Sequence, residues 1–235
     1  MGIYETQAVW LSREFQAALK TGIDHYPDSP VCEVLEKSIE ILIKNSPATG
    51  NNAAYSSPMN VPSMTMALMN RGGGIIDMHV IGDCVIYLLT RRGKVLRFTD
   101  GRVSRFENKT VRVFNRYRNT PELKKRVTMQ REKNKKMMNR PGGYWVVTPD
   151  KTWLDQVRRF SHNADDCVSA LMCTDGFDRL FDLYRLIKPV EVLRQEISLE
   201  KCQEMLRACE QEDAECLRYP RLKVSDDSTA VLIEL

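Results

Sequence analysis

The chain has 235 residues, of which 43% are hydrophobic and 28% charged, enough length and apolar content for a sizeable buried core in a globular protein. Its longest apolar runs, such as Val85–Leu89, fall far short of the ~20 residues a membrane span needs, and the N-terminus lacks the basic-then-apolar pattern of a signal peptide. The net charge of +4 hides a basic segment, 102–140, in which only Glu107, Glu122 and Glu132 oppose many lysines and arginines. The seven cysteines show no CxxC spacing, so they are expected as small buried hydrophobes in a reducing, cytoplasmic compartment.

In chain order, Thr6–Thr21 and Val31–Lys44 carry apolar residues at helical spacing and are separated by PDSP. A Ser/Asn/Pro/Gly-rich loop follows and ends in the small apolar run Met64–Met69. The period then changes to two: Ile75–Ile81, Val85–Thr90 and the VLRF run read as a β-meander broken at Gly82-Asp83 and Arg92-Gly93. Val111–Asn115 reads as a short strand or a helix start, Pro121–Asn139 as a basic helix, Tyr144–Thr148 as a strand and Lys151–Phe160 as a short helix. Val168–Cys173 is a strand, Gly176–Ile187, Pro189–Gln195 and Ser198–Leu217 are helical, and Thr229–Glu234 is the last strand. Tight turns between neighbouring strands predict an α+β protein with antiparallel sheets rather than parallel βαβ units.

Two acidic positions stand out. Asp175 ends the strand VSALMCT and precedes Gly176, where the chain must turn; Asp226 and Asp227 precede the terminal strand. If those two strands are neighbours, their ends bring Asp175 and Asp226 together. Two carboxylates that close repel each other unless a cation lies between them, and hard ions such as Mg²⁺ or Mn²⁺ suit such oxygen ligands. The alternative is ordinary turn and cap chemistry.

Four stretches, PSMTMALM (62–69), MHVIGDCVIYLLTRRGKVLRFTD (78–100), LMCTDGFDRL (171–180) and SDDSTAVLIEL (225–235), occur in the order of the motifs of the metal-dependent protein phosphatase 2C family, which the chain resembles in its short bacterial form. The resemblance implies one domain over 1–235, an α/β/β/α sandwich of two antiparallel sheets flanked by helices. It matches Asp175 and Asp226 to metal-ligand aspartates, and Gly176 and Asp227 to supporting backbone or outer positions. Asp83 falls in a motif that is mainly structural in the family, and Asp100 stands one residue early for an accessory ligand. The chain starts at what resembles the family's first helix, so the N-terminal strands with the bridging carboxylate are expected to be missing; Glu5 is the only acid ahead of that helix. A two-metal Mn²⁺ or Mg²⁺ site would then be incomplete, and open sheet edges would invite a homodimer.

Three functions follow. The first is a phosphoserine/phosphothreonine protein phosphatase in which metal-activated water attacks phosphorus, with a phosphorylated protein as substrate. The second is a catalytically inactive relative kept as a binding or regulatory module. The third is a nucleic-acid binder using 102–140; the scarcity of rings there (Phe114 and Tyr117 in its middle) argues against it. His162 is a weaker candidate for a general acid.

Overall fold

The computed structural model describes residues 7–45 and 61–235, so Glu5 and most of the Ser/Asn/Pro-rich loop lie outside the described residues. The chain divides into two compact units, Met1–Thr65 with Glu132–Val157, and Met66–Arg131 with Arg158–Leu235.

In the first unit, α1 (Gln7–His25) and α2 (Val31–Asn45) form a helical hairpin. Leu11, Phe15 and Ala18 recur at helical spacing on the buried face of α1, and Val34, Leu35, Ile39 and Leu42 do so on α2. Gly22 permits the close approach, because a Cβ there would meet Ser38 Oγ at 2.6 Å. Trp153 is fully buried, packs its edge near Phe15 and donates its indole N–H to the Thr148 carbonyl. Tyr144–Thr148 is not a strand: only the bridges Met64–Val147 and Met138–Tyr144 form there. Asn139 intervenes, its side chain accepting from the Val146 N–H and donating to Thr148 Oγ1.

The second unit holds two antiparallel sheets. β1 (Met66–Gly72), β2 (Ile75–Ile81) and β5 (Arg158–Asn163) form one in the order β1-β2-β5; β3 (Val85–Thr90), β4 (Val95–Thr99), β6 (Cys167–Cys173) and β7 (Ala230–Glu234) form the other in the order β4-β3-β6-β7. The meander expected from the alternation is therefore split. Gly82 adopts φ 85°, a conformation that costs a glycine little, and there the chain leaves one sheet for the other. β5 was expected to be part of a helix; Leu154–Gln156 is only a 3₁₀ turn before it.

Alternation along the central strands sorts the core. Ile86 and Leu88 of β3 and Ala170 of β6 join Ile76, Met78 and Val80 of β2 between the sheets. Val85, Tyr87, Leu89, Leu171 and Cys173 point the other way, onto Phe177, Leu180, Val192, Leu193 and the α7 residues Cys202 and Leu206. The helices on that outer face are α5 (Asp175–Asp178), α6 (Pro189–Leu193) and α7 (Leu199–Glu212). The helix expected over Gly176–Ile187 stops after one turn, and Arg185 has φ 53°. Before them come α3 (Arg102–Tyr117), which absorbs the ambiguous Val111–Asn115 run, and α4 (Leu123–Lys135).

All seven cysteines are free thiols, six of them buried as small hydrophobes and Cys32 exposed. Among the described residues no helix is long and apolar enough to cross a membrane.

Candidate functional site

β6 and β7 are hydrogen-bonded neighbours, with Cys173 opposite Ala230. The pairing continues past the strand ends, where the Thr174 N–H donates to the Thr229 carbonyl and the Thr229 N–H to Thr174 Oγ1. Both predicted aspartates are thus carried to the same end of the sheet. Gly176 makes this close: a Cβ there would collide with the Asp227 carbonyl oxygen and crowd Asp226 Cβ at 3.3 Å. Backbone cannot yield as a flexible side chain can, so Gly176→Ala is expected to cost ~1–3 kcal/mol. In a unit of this size that lowers the melting temperature by ~2–4 °C per kcal/mol; an unchanged thermal melt by circular dichroism would refute the close packing. Asp227 itself is exposed and contributes its backbone, its N–H donating to Asp226 Oδ1 at 3.0 Å.

Asp175 and Asp226 share a cation, and it is a side chain. Arg179 donates to Asp226 Oδ2 at 2.8 Å and lies 3.7 Å from Asp175 Oδ2. Lys223 holds the other oxygen of Asp226 at 2.8 Å. Burial pushes the Asp226 carboxyl up, but these two cations outweigh it and hold it below its ordinary value. Asp175 goes the other way: burial and then the neighbouring Asp226 charge raise it, with Arg179 only partly offsetting them.

Two further carboxylates that converge on Asp175 were not paired with it by sequence. Oxygen atoms of Asp83, Glu107 and Asp175 all lie within 4.8 Å of one another. Asp83 enters from the β2–β3 crossing and Glu107 from the first turns of α3, so three distant parts of the chain converge. Burial, then Asp175, raises the Glu107 carboxyl although the residue keeps exposed surface. The group lines a cleft of about 340 Å³ with Thr99, Ser104, Asn108 and Arg179. Hard oxygen donors at this spacing, two of them raised by burial first and then by a neighbouring carboxylate, fit a divalent cation. Glu107 carried no sequence signal: within the basic segment it read as one of its few acids.

Two other acids are occupied. Asp100 is buried and held by the forked Arg102 guanidinium, Nε to Oδ1 at 2.8 Å and Nη2 to Oδ2 at 2.6 Å. Asp178, also buried, accepts from the Tyr87 hydroxyl at 2.5 Å and from Arg97 Nη2 at 2.7 Å. That network ties β3 and β4 to α5 beneath the cleft, and burial followed by the Asp178 charge raises the Tyr87 hydroxyl above its ordinary range. His162 lies on β5 opposite Ile76 and is not among the cleft-lining residues.

This architecture, two antiparallel sheets with flanking helices, is that of the phosphatase 2C-like fold. A bacterial serine phosphatase carrying one arginine-to-lysine substitution matches with a TM-score of 0.50 at 14% identity, over 96% of this chain and 79% of that one. The Mycobacterium tuberculosis serine/threonine phosphatase PstP/Ppp is similar over 96% of this chain and 81% of its own, at 18% identity and a TM-score of 0.49. The catalytic domain of PstP in complex with two manganese ions is similar at 15% identity and a TM-score of 0.48, over 94% and 78%. No family model and no curated protein matches the chain.

Proposed function

We propose that the chain is a metal-dependent phosphatase of the protein phosphatase 2C family, acting on phosphoserine or phosphothreonine in proteins. The observation that carries this reading is the convergence of Asp83, Glu107 and Asp175 in one cleft of the phosphatase-like sandwich. Those residues would hold a Mn²⁺ or Mg²⁺ ion, which when bound supplies positive charge to a phosphate oxygen and acidifies a bound water. The protein's own part is to keep the carboxylates converged through Gly176 and the β2–β3 crossing, and to offer Ser104 and Asn108 on the wall beside them. The test is hydrolysis of p-nitrophenyl phosphate and of a phosphothreonine peptide with and without Mn²⁺. Metal-dependent turnover supports the reading, and none in excess Mn²⁺ overturns it.

A second reading is favoured by Arg179. Its guanidinium sits between Asp175 and Asp226 as an ion would, but it has no water to activate, and its Nη1 is buried with no hydrogen-bond partner among the described residues. In that reading the fold serves as a non-catalytic module that binds phosphorylated proteins. Arg179→Met separates the two. If the guanidinium stands in for an ion, the variant binds one more equivalent of Mn²⁺ by calorimetry than the parent chain; an unchanged stoichiometry removes this reading.

A further inference from the structure

The helix α3 presents three different faces. Phe106 and Thr110 are buried, with Val103, Val113, Phe114 and Tyr117 partly so beside them. Ser104, Glu107, Asn108 and Val111 line the cleft. Arg105, Lys109, Arg112 and Arg116 recur at intervals of four, three and four residues, all exposed, and so form one stripe ~16 Å long. At about 100° per residue this stripe borders the cleft-lining face on one side and the buried face on the other, roughly 40° from each. Among the described residues none of the four has a carboxylate partner, unlike Arg102, which is held by Asp100. α4 prolongs the charge with Lys124 and Lys125 and buries no residue of its own.

We infer that this stripe is a docking track for the acidic flank of a phosphorylated protein segment whose phosphate enters the cleft. The inference rests on the reading of the cleft as a phosphoester site and adds the substrate class: phosphorylated serine or threonine with acidic residues around it. An extended peptide places same-face side chains every ~6.7 Å, close to the ~5.4 Å between successive helical turns, so alternate acids can meet successive cations. Nucleic acid fits less well. Binding of single strands leans on open aromatic faces, and here the rings carry cations: Lys109 over Phe106 at 4.3 Å, Arg118 over Phe114 at 5.6 Å, and Arg116 and Arg126 over Tyr117 at 5.6 and 5.1 Å. Arg118 is further tied to the Glu215 carbonyl at 2.9 Å.

The experiment measures fluorescence anisotropy of the full chain, with EDTA present, against three labelled probes. One is a phosphoserine peptide flanked by glutamates, another the same peptide flanked by glutamines, and the last a single-stranded oligonucleotide. The glutamate peptide is expected to bind several-fold more tightly than the glutamine peptide, and raising the salt should erase the difference. The variant Lys109→Ala/Arg112→Ala should weaken the glutamate peptide about fivefold, as two rim charges of a few tenths to 1 kcal/mol each would, and leave the glutamine peptide unchanged. Both residues are exposed, so an unaltered circular dichroism melt checks that the variant is folded. Equal affinity for the two peptides, or tighter binding of the oligonucleotide than of the glutamate peptide, overturns the inference. Because binding is read without metal, absence of turnover does not touch it; hydrolysis with no flank preference defeats the inference alone.

Discussion

Asp175→Asn is expected to lower Mn²⁺-dependent phosphate-ester hydrolysis by on the order of 10²-fold or more, and to weaken Mn²⁺ binding in parallel. Loss of outer-shell partners alone typically costs 10–100-fold in metal affinity or activity, ~1.4–2.7 kcal/mol, and a direct ligand is worth at least that. Burial and then the Asp226 charge raise the Asp175 carboxyl, so a bound cation would offset that unfavourable charge. Asp226→Asn should behave differently. Its oxygens are already held by Arg179 and Lys223 at 2.8 Å each, so the change should alter Mn²⁺ affinity by less than about fivefold. Calorimetric titration of both variants checks the contrast. Equal losses would place the ion between Asp175 and Asp226 instead of among Asp83, Glu107 and Asp175.

Asp213→Asn is expected to destabilise the fold by ~3–5 kcal/mol, the usual result of leaving one member of a buried ion pair without its partner. Asp213 accepts from the backbone N–H groups of Leu217, Arg218 and Tyr219 at 2.8, 2.9 and 3.0 Å, and from Arg221. Arg221 in turn donates to the carbonyls of Glu210, Asp213, Tyr219 and Val224, which closes the loop between α7 and the Asp226 segment. Burial alone would raise the Asp213 carboxyl, but the N–H groups and the guanidinium outweigh it and hold it down at about 2. An unfolded aspartate titrates near ~3.9. The stabilisation is therefore complete above that value and is lost as the pH falls from about 4 towards about 2. The melting temperature of the variant should lie ~10 °C below that of the parent at neutral pH, and the gap should narrow on acidification. Arg221→Met gives a second measure, since it leaves a buried carboxylate without its cation. A gap that stays constant down to pH ~2.5 would show that the pair carries no pH-linked stability.

Much of the strand content was legible because alternation is a local record of which face is buried. The runs 75–81, 85–90 and 95–99 form where the period of two places them, and the Asp-Gly after VSALMCT marks a strand end. Legibility failed where partners far along the chain decide. The Tyr144–Thr148 run looks extended, yet the Asn139 side chain takes the Val146 N–H that a ladder would use. The 158–163 strand exists because β2 offers it an edge, which nothing in the segment itself announces.

Within the candidate site the same division holds. By itself the sequence determined that Asp175 and Asp226 stand at strand mouths, that Gly176 must turn there, and that basic residues concentrate over 102–140. A carboxylate at a strand end and a run of cations are local facts of composition and period. Only the tertiary structure decided which charges face each other. It split the meander at Gly82 and so delivered Asp83 to the cleft, brought Glu107 from a basic helix to Asp175, and laid Arg179 between the two aspartates that the sequence had paired around an ion. Electrostatic partners act across space at a few ångströms while separated by tens of residues, and no periodicity in the chain encodes that separation.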